Sequence, residues 1–170
     1  MKKNHLGLWA LYIPLMSGFL SCSQQKEVSL GDLNVIPAPY EVVEQNERVA
    51  FVIDNSTKIV YPEGNEKMKR NADFLASYIR NLTGMEVGLS VGGDTGAIVL
   101  ALDDAVEGEE GYELNVSSER ILLKGKTEAG VFYGIQTLHK AMPVTGGKTL
   151  AAIPCGTVKD HPRFAYRGFM

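Results

Sequence analysis

The sequence predicts an α+β fold, a two-layer sandwich in which a mostly antiparallel sheet carries two helices on one face. Three observations lead there. Short runs rich in β-branched and aromatic residues recur between turn formers along the 170 residues. Two longer stretches, 65–82 and 128–142, instead place apolar residues at helical spacing. Each helix then has one face to bury, and lying together on one side of the sheet satisfies both. The length is that of one domain, and a (β/α)₈ barrel of roughly 250 residues does not fit.

Residues 1–21 read as a signal peptide. Lys2 and Lys3 form a positive start, and Leu6–Leu20 is an apolar stretch, interrupted by Pro14, that ends in small residues before Cys22. The stretch is short and no stop-transfer pattern follows, which fits secretion better than a membrane span. Phe19-Leu20-Ser21-Cys22 is similar to a loose bacterial lipobox. That resemblance implies Cys22 as the lipidated first residue of the mature protein, and the alternative is a plain signal peptide with an incidental cysteine. Residues 22–33 are then a lipid-anchored tether, polar from Ser23 to Ser29. The expected location is a bacterial membrane reached by export across the inner membrane, on the periplasmic face or the cell surface, with the membrane as a partner through the anchor. Cys155 is the second of two cysteines. With Cys22 acylated no intrachain disulfide is possible, and Cys155 is expected to be a buried structural thiol.

The folded region is expected over 34–159, with regular structure starting near Asn34. Pro37 and Pro39 exclude a helix there and suggest an edge segment. Strands are expected at Tyr40–Glu44, Val49–Ile53 and Lys58–Tyr61. The first helix places Met68, Ala72, Leu75, Ala76, Ile79 and Leu82 on one stripe, with Asn65 as N-cap and Gly84 ending it in a left-handed conformation. Glu86–Val91 and Ala97–Leu102 follow, joined through a Gly92-Gly93-Asp94 turn. The near-continuous apolar run of Ala97–Leu102 marks a central strand. Tyr112–Val116 alternates apolar with polar residues and forms a hairpin with Arg120–Lys124.

The second helix has Thr127 as N-cap and Pro143 just past its end. Ala129, Phe132, Ile135, Gln136 and Leu138 make no narrow stripe, while Gly130 and Gly134 lie four apart on one face. Each glycine costs roughly 1 kcal/mol against alanine inside a helix, so a close approach to the sheet or to a neighbouring domain is expected to offset it. Lys148–Ala152 and Gly156–Lys159 are weaker strand expectations. The free sheet face is either solvated or docked against something further.

The formal net charge is −3, and 15 basic against 20 acidic residues remain once residues 1–21 are set aside. No basic cluster is interleaved with aromatics, so nucleic acid is not expected as a partner. Asp103-Asp104 and Glu109-Glu110 read as solvated acidic loops. Gly146-Gly147-Lys148-Thr149 imitates the end of a phosphate-binding loop, but Met142 stands where that pattern needs glycine and a helix precedes it, so a turn is expected. His139 and His161 are isolated, with no metal-ligand spacing, and neither a metal nor a cofactor is expected.

Two groups of residues carry a resemblance. Glu110-Gly-Tyr-Glu-Leu-Asn-Val, Ile121-Leu-Leu-Lys-Gly and Ala129-Gly-Val-Phe-Tyr-Gly-Ile-Gln-Thr-Leu follow one another. Asp160-His-Pro-Arg-Phe then leads to Tyr166-Arg167-Gly168. Together they resemble the N-terminal domain of family 20 glycoside hydrolases, the β-N-acetylhexosaminidases, and its junction with a (β/α)₈ catalytic barrel. The resemblance spans roughly Val35 to Met170. It implies a non-catalytic front domain with residues 160–170 as the junction, and a chain that stops where the first barrel strand would begin.

In the family, as the resemblance implies, the substrate's own 2-acetamido oxygen attacks the anomeric carbon. An adjacent Asp-Glu pair on the barrel assists. No residue of this chain matches that pair, so no catalytic or substrate-binding residue is expected, and the fragment itself should be inactive. Terminal N-acetylglucosamine or N-acetylgalactosamine glycans would be met through the barrel. Arg163 and Arg167 are assigned structural pairing at the junction rather than sugar contact. Two other readings remain open: a standalone lipid-anchored glycan-binding or scaffold module, and the front domain of a related glycosidase family.

Overall fold

The structure, a computed structural model, describes residues 27–164, and of residues 46–48 the backbone alone. The expected signal peptide, Cys22 and the Tyr166-Arg167-Gly168 run lie outside the described residues. The chain forms β1 (Val28–Leu30), β2 (Glu41–Ile53), β3 (Lys58–Val60), α1 (Glu66–Thr83), β4 (Gly88–Ser90) and β5 (Ala97–Leu102). It continues through β6 (Tyr112–Val116), β7 (Ile121–Gly125), α2 (Glu128–Ala141) and β8 (Leu150–Asp160). One sheet runs β1-β8-β6-β7-β5-β3-β4, with β2 pairing β8. Both helices form the second layer: α2 lies over β5, β6 and β7, and α1 over β3 and β4.

The expected α+β sandwich stands, but the sheet is mixed rather than mostly antiparallel. The pairs β1–β8, β3–β4, β3–β5 and β5–β7 are parallel. Only β2–β8, β6–β7 and β6–β8 are antiparallel. The reason is topological. A helix between two strands returns the chain to the same end of the sheet, so α1 makes β3 and β4 parallel. The sequence announces hairpins through their turns but does not announce crossovers.

Three boundaries also differ. The sheet begins at Val28 rather than near Asn34, because residues 28–30 pair in parallel with Leu150–Ala152. The two strands expected at 40–44 and 49–53 are one, β2, continuous through register shifts between Glu44 and Asn46 and between Asn46 and Ala50. The two pieces expected at 148–152 and 156–159 likewise merge into β8. Pro154 is tolerated inside β8 because its β2 partner is at a register shift there. On the opposite edge, β1 pairs residues 150–152 and β6 pairs 156–160, leaving 153–155 unpaired.

The caps behave as the sequence predicts. Asn65 Oδ1 accepts from Met68 N at 3.0 Å, and Gly84, at φ 72°, donates its N–H to Arg80 O. Met68, Ala72, Leu75 and Ile79 of α1 are fully buried, in one core with Ile59, Ile98, Leu100, Ile121 and Leu123 of the sheet. One row of the free face of the sheet is charged. Glu41, Lys159, Glu113 and Lys124 stand in register across β2, β8, β6 and β7, alternating in sign. Lys159 pairs with Glu113 at 3.2 Å, and Lys124 with Asp103 at 2.8 Å. Such a ladder sits well in water.

In α2 the buried positions are Gly130, Val131, Gly134, Ile135, Thr137, Leu138 and Ala141. Ala129 is exposed, and Phe132 and Gln136 are half-buried, so the set that makes no narrow stripe in the sequence is split between core and surface. The glycines decide the orientation. A Cβ on Gly130 would stand 2.2 Å from Gly111 O, and one on Gly134 would stand 2.3 Å from Leu123 Cδ1 and 3.0 Å from the Tyr112 ring. The close approach is thus to this domain's own sheet and the loop leading into it. Gly134→Ala should destabilise the domain by about 1–3 kcal/mol through overpacking, although alanine favours an isolated helix by about 1 kcal/mol. A urea midpoint that rises in this variant would contradict the packing.

Candidate functional site

Of the residues singled out by the sequence, Glu110, Tyr112, Asp160, His161 and Pro162 gather where β8 ends, and the site is built around Tyr112. Alternation along β6 turns Tyr112 toward α2, where Gly134 leaves room for its ring. Its hydroxyl shares a hydrogen bond of 2.6 Å with Thr137 Oγ1. Burial pushes the phenol up to about 12, and Asp160 adds to the rise. The loop before β6 is held just as tightly. A Cβ on Gly111 would stand 1.8 Å from Glu107 O, and Thr127, the N-cap of α2, donates its hydroxyl to Glu109 O at 2.6 Å. The Glu110-Gly-Tyr run and the glycines of α2 are therefore two halves of one contact.

Asp160, the last residue of β8, fixes how the chain leaves the sheet. Its Oδ1 accepts from Tyr40 N at 3.1 Å and from His161 N at 3.0 Å, tying the exit to a segment 120 residues earlier. The rings of Tyr40 and His161 lie 5.0 Å apart. On the other side, Lys140 Nζ donates to Ile36 O at 2.8 Å, fastening α2 to the same lead-in segment. Between these clamps lies an open cleft of about 190 Å³, lined by Tyr112, Tyr133, Gln136, Lys140, Asp160 and Pro162 among others. Phe164, at the end of the described chain, is 73% exposed.

This arrangement joins surfaces; it does not gather reactive groups. Asp103 is paired with Lys124, and that hydrogen bond, with another from Ala105 N, holds its carboxyl below the usual range. Asp104 is exposed. Glu109 lies 3.6 Å from Lys126 on the surface, while Glu110 lines the cleft beside Pro162. The expected loop reading of these two acidic pairs matches their placement.

The two histidines are far apart in role as well as in sequence. His139 stacks on Tyr78 with ring centroids 4.3 Å apart, and burial, then Lys140, lowers its pKa. His161 belongs to the exit. Among the described residues no group of three or more His, Cys, Asp or Glu side chains is placed to hold a metal ion. Gly146 and Gly147 both take positive φ, in a turn whose Thr145 and Gly146 N–H groups donate to Leu82 O. The phosphate-loop imitation is thus a cap for the last turn of α1. Cys155 is buried, and burial pushes its thiol up. Arg163 lies at the exit, and Arg167 lies outside the described residues.

Sequence reasoning missed Asp160 and Thr137 as structural anchors of the junction. Nothing in the local sequence marks either, because the partner of each is remote. Tyr40 N lies 120 residues from Asp160, and Tyr112 lies 25 residues from Thr137.

Comparison with known proteins places these features in context. Residues 32–161 match the sequence profile of glycosyl hydrolase family 20, domain 2. A β-hexosaminidase of Porphyromonas gingivalis is 31% identical over 164 residues, covering 89% of this chain and 21% of the relative. A β-N-acetylhexosaminidase of Cellulomonas fimi is 31% identical over 140 residues, covering 81% of this chain and 28% of the relative. Among solved structures, the family 20 β-N-acetylhexosaminidase of Streptomyces coelicolor superposes with a TM-score of 0.69 at 31% identity. That match covers 79% of this chain and 27% of the Streptomyces chain. The chain thus spans about a fifth to a quarter of the length of these relatives.

Two outcomes follow from the geometry around Tyr112. Tyr112→Phe leaves the buried Thr137 hydroxyl without its partner and should cost about 1–2 kcal/mol. A phenol raised in the folded state contributes stability that is whole below its unfolded value near 10 and is lost as pH rises toward about 12. Unfolding midpoints measured from pH 9 to 12 should therefore fall more steeply for the wild type than for Tyr112→Phe, and parallel curves would show that the phenol is not held neutral.

Proposed function

Since the chain belongs to glycosyl hydrolase family 20, as its domain 2, we propose that it is the N-terminal, non-catalytic portion of a β-N-acetylhexosaminidase. The whole protein would release terminal N-acetylglucosamine or N-acetylgalactosamine from glycans by the substrate-assisted route of the family. One observation carries this reading. The Gly111-Tyr112 run and the Gly130–Gly134 helix, the residues on which the resemblance rests, interlock in space and lie inside the segment that matches the family. A shared fold alone would not have this force, since folds host many functions.

The role left to this chain is mechanical. Asp160 ties the departing strand to Tyr40, and Lys140 ties α2 to Ile36, so the exit is held at a set place beside the helix layer. A catalytic barrel attached there would be positioned rather than loosely tethered. The acidic side chains near the exit are not arranged as the Asp-Glu pair that assists the acetamido group. Glycan binding is accordingly assigned to the part of the protein that this chain does not span.

The proposed location is a bacterial membrane, with Cys22 acylated and the folded domain beyond it. Lys2, Lys3, the Leu6–Leu20 stretch and the residues around Cys22 support this. Labelled palmitate should enter the wild type and not Cys22→Ser, and label retained in that variant would remove the anchor.

The central test is hydrolysis of an aryl N-acetyl-β-glucosaminide. The purified 170-residue chain should show no turnover, whereas the full-length gene product should be active. Turnover by the short chain, or a full-length product that binds N-acetylhexosamine glycans without cleaving them, would overturn the assignment.

A further inference from the structure

The sheet begins at Val28, six residues after Cys22, and not after the longer tether that the sequence predicts. Six residues of extended chain reach about 20 Å at most, so an acyl anchor on Cys22 would hold β1 close against the lipid. What β1 presents there is apolar. Phe51, Ile53, Ala151 and Ile153 point into the core, and alternation turns their neighbours to the outer face of the sheet. Those neighbours are Ala50 and Val52 of β2 and Ala152 and Pro154 of β8. Leu30 stands in register with Ala152, across β8 from Val52, and Val28 precedes it on the same face. None of these six residues is charged. Val28 is 54%, Leu30 49% and Val52 38% exposed. We propose that this corner of the sheet is a membrane seat, which enters the interfacial region of the bilayer holding the Cys22 anchor and sets how the domain lies on it. The inference rests on the acylation of Cys22 proposed above.

Three observations commit the corner to a lipid surface. The first is the short reach from Cys22, which brings the bilayer to β1 before any other partner. The second is a gradient along β8. Its outer face is apolar around Ala152 and Pro154, whereas at Lys159 it carries the charged row shared with Glu41, Glu113 and Lys124. A domain resting on its apolar corner therefore keeps that row in water, where its solvation is not lost. The third is the course of the chain. β8 is 11 residues long, so roughly 33 Å separates its start beside Val28 from the exit at Asp160. Whatever follows the exit departs from the far end of the strand. A second copy of the chain is a poorer occupant. Stable pairing takes about 800 Å² from each partner, several times what three half-exposed aliphatic side chains supply. A membrane contact needs less, because the anchor makes it an intramolecular event. Glu27 and Lys148, exposed at the edge of the corner, are opposite in sign, so apolar burial rather than charge carries the contact.

The test is labelling from within the bilayer. The acylated gene product is reconstituted in vesicles of phosphatidylethanolamine and phosphatidylglycerol that contain a lipid-borne carbene precursor. Insertion at Val28, Leu30 and Val52 should exceed insertion at Val43 and Leu102, exposed near the exit end of the sheet, about fivefold or more. Raising the salt to about 1 M should change it by less than about twofold, since apolar contact is not screened. In Leu30→Glu/Val52→Glu, still acylated, insertion at Val28 should fall about threefold or more. Equal insertion at both ends of the sheet, loss of insertion in salt, or insertion at Val28 unchanged in the double variant would each overturn the seat. Should the double variant fail to fold, the comparison within the wild type decides alone. Protection of the corner in soluble Cys22→Ser that grows with protein concentration would also overturn the seat and give the face to a second copy. Palmitate incorporated at Cys22 without insertion at the corner would sink the seat and keep the anchor. Absence of palmitate would sink the anchor, and the seat with it.

Discussion

The contact between α2 and the start of β6 is the constraint on which the rest of the molecule depends. The Gly130 backbone rests on Gly111 O, and Gly134 admits the Tyr112 ring. A Cβ at Gly130 would meet the backbone oxygen of Gly111, and one at Gly134 would force Leu123 or the Tyr112 ring to move. With the helix seated this low, Thr137 falls within reach of the Tyr112 hydroxyl, and the bulky residues of α2 are turned outward instead of inward. The helix-propensity cost of two interior glycines is offset by this approach and not by any contact within the helix itself.

From that seat the structure propagates in two directions. Toward α1, Glu128 at the first turn of α2 accepts from Asn65 Nδ2 through its carboxylate and from Asn71 Nδ2 through its backbone carbonyl. The N-terminal turns of the two helices are thereby tied together, and the helix layer behaves as one surface. Toward β8, the strand after α2 receives β1, β2 and β6 along its two edges. It therefore binds the beginning of the described chain to its end. Asp160 sits at the tip of this shared strand, and its carboxylate converts the end of a strand into a fixed exit.

The two layers differ in what they offer to the outside. On the sheet, charges alternate across four strands and find partners within the domain. On the helices, aromatic rings pair with one another while staying partly open to solvent. The two layers thus differ in character, and the chain leaves near Tyr133 and Gln136 of the helix layer.

Much of this was legible in residues taken one segment at a time. Asn65 and Gly84 announce the ends of α1 because capping is a local matter of side chain and φ. The alternation in Tyr112–Val116 announces a half-buried strand, and the paired glycines of α2 announce a close approach without naming its target. The family was legible too, because the residues at the tightest contact are also the motif. What the sequence could not hold was anything set by distant partners. β8 reads as two pieces until the edge facing β1 and β6 is seen to be unpaired at 153–155, and β2 reads as two strands until its register shifts are seen to share one partner. The parallel pairs join strands that are not linked by a hairpin, such as β3 and β4 across α1 or β5 and β7 across β6, and so leave no turn signature. The junction held by Asp160 joins residues 120 apart. Local stereochemistry thus determined the elements and their caps from sequence alone, whereas the direction of the strands, the target of the glycines and the course of the exit were decided only when remote segments packed together.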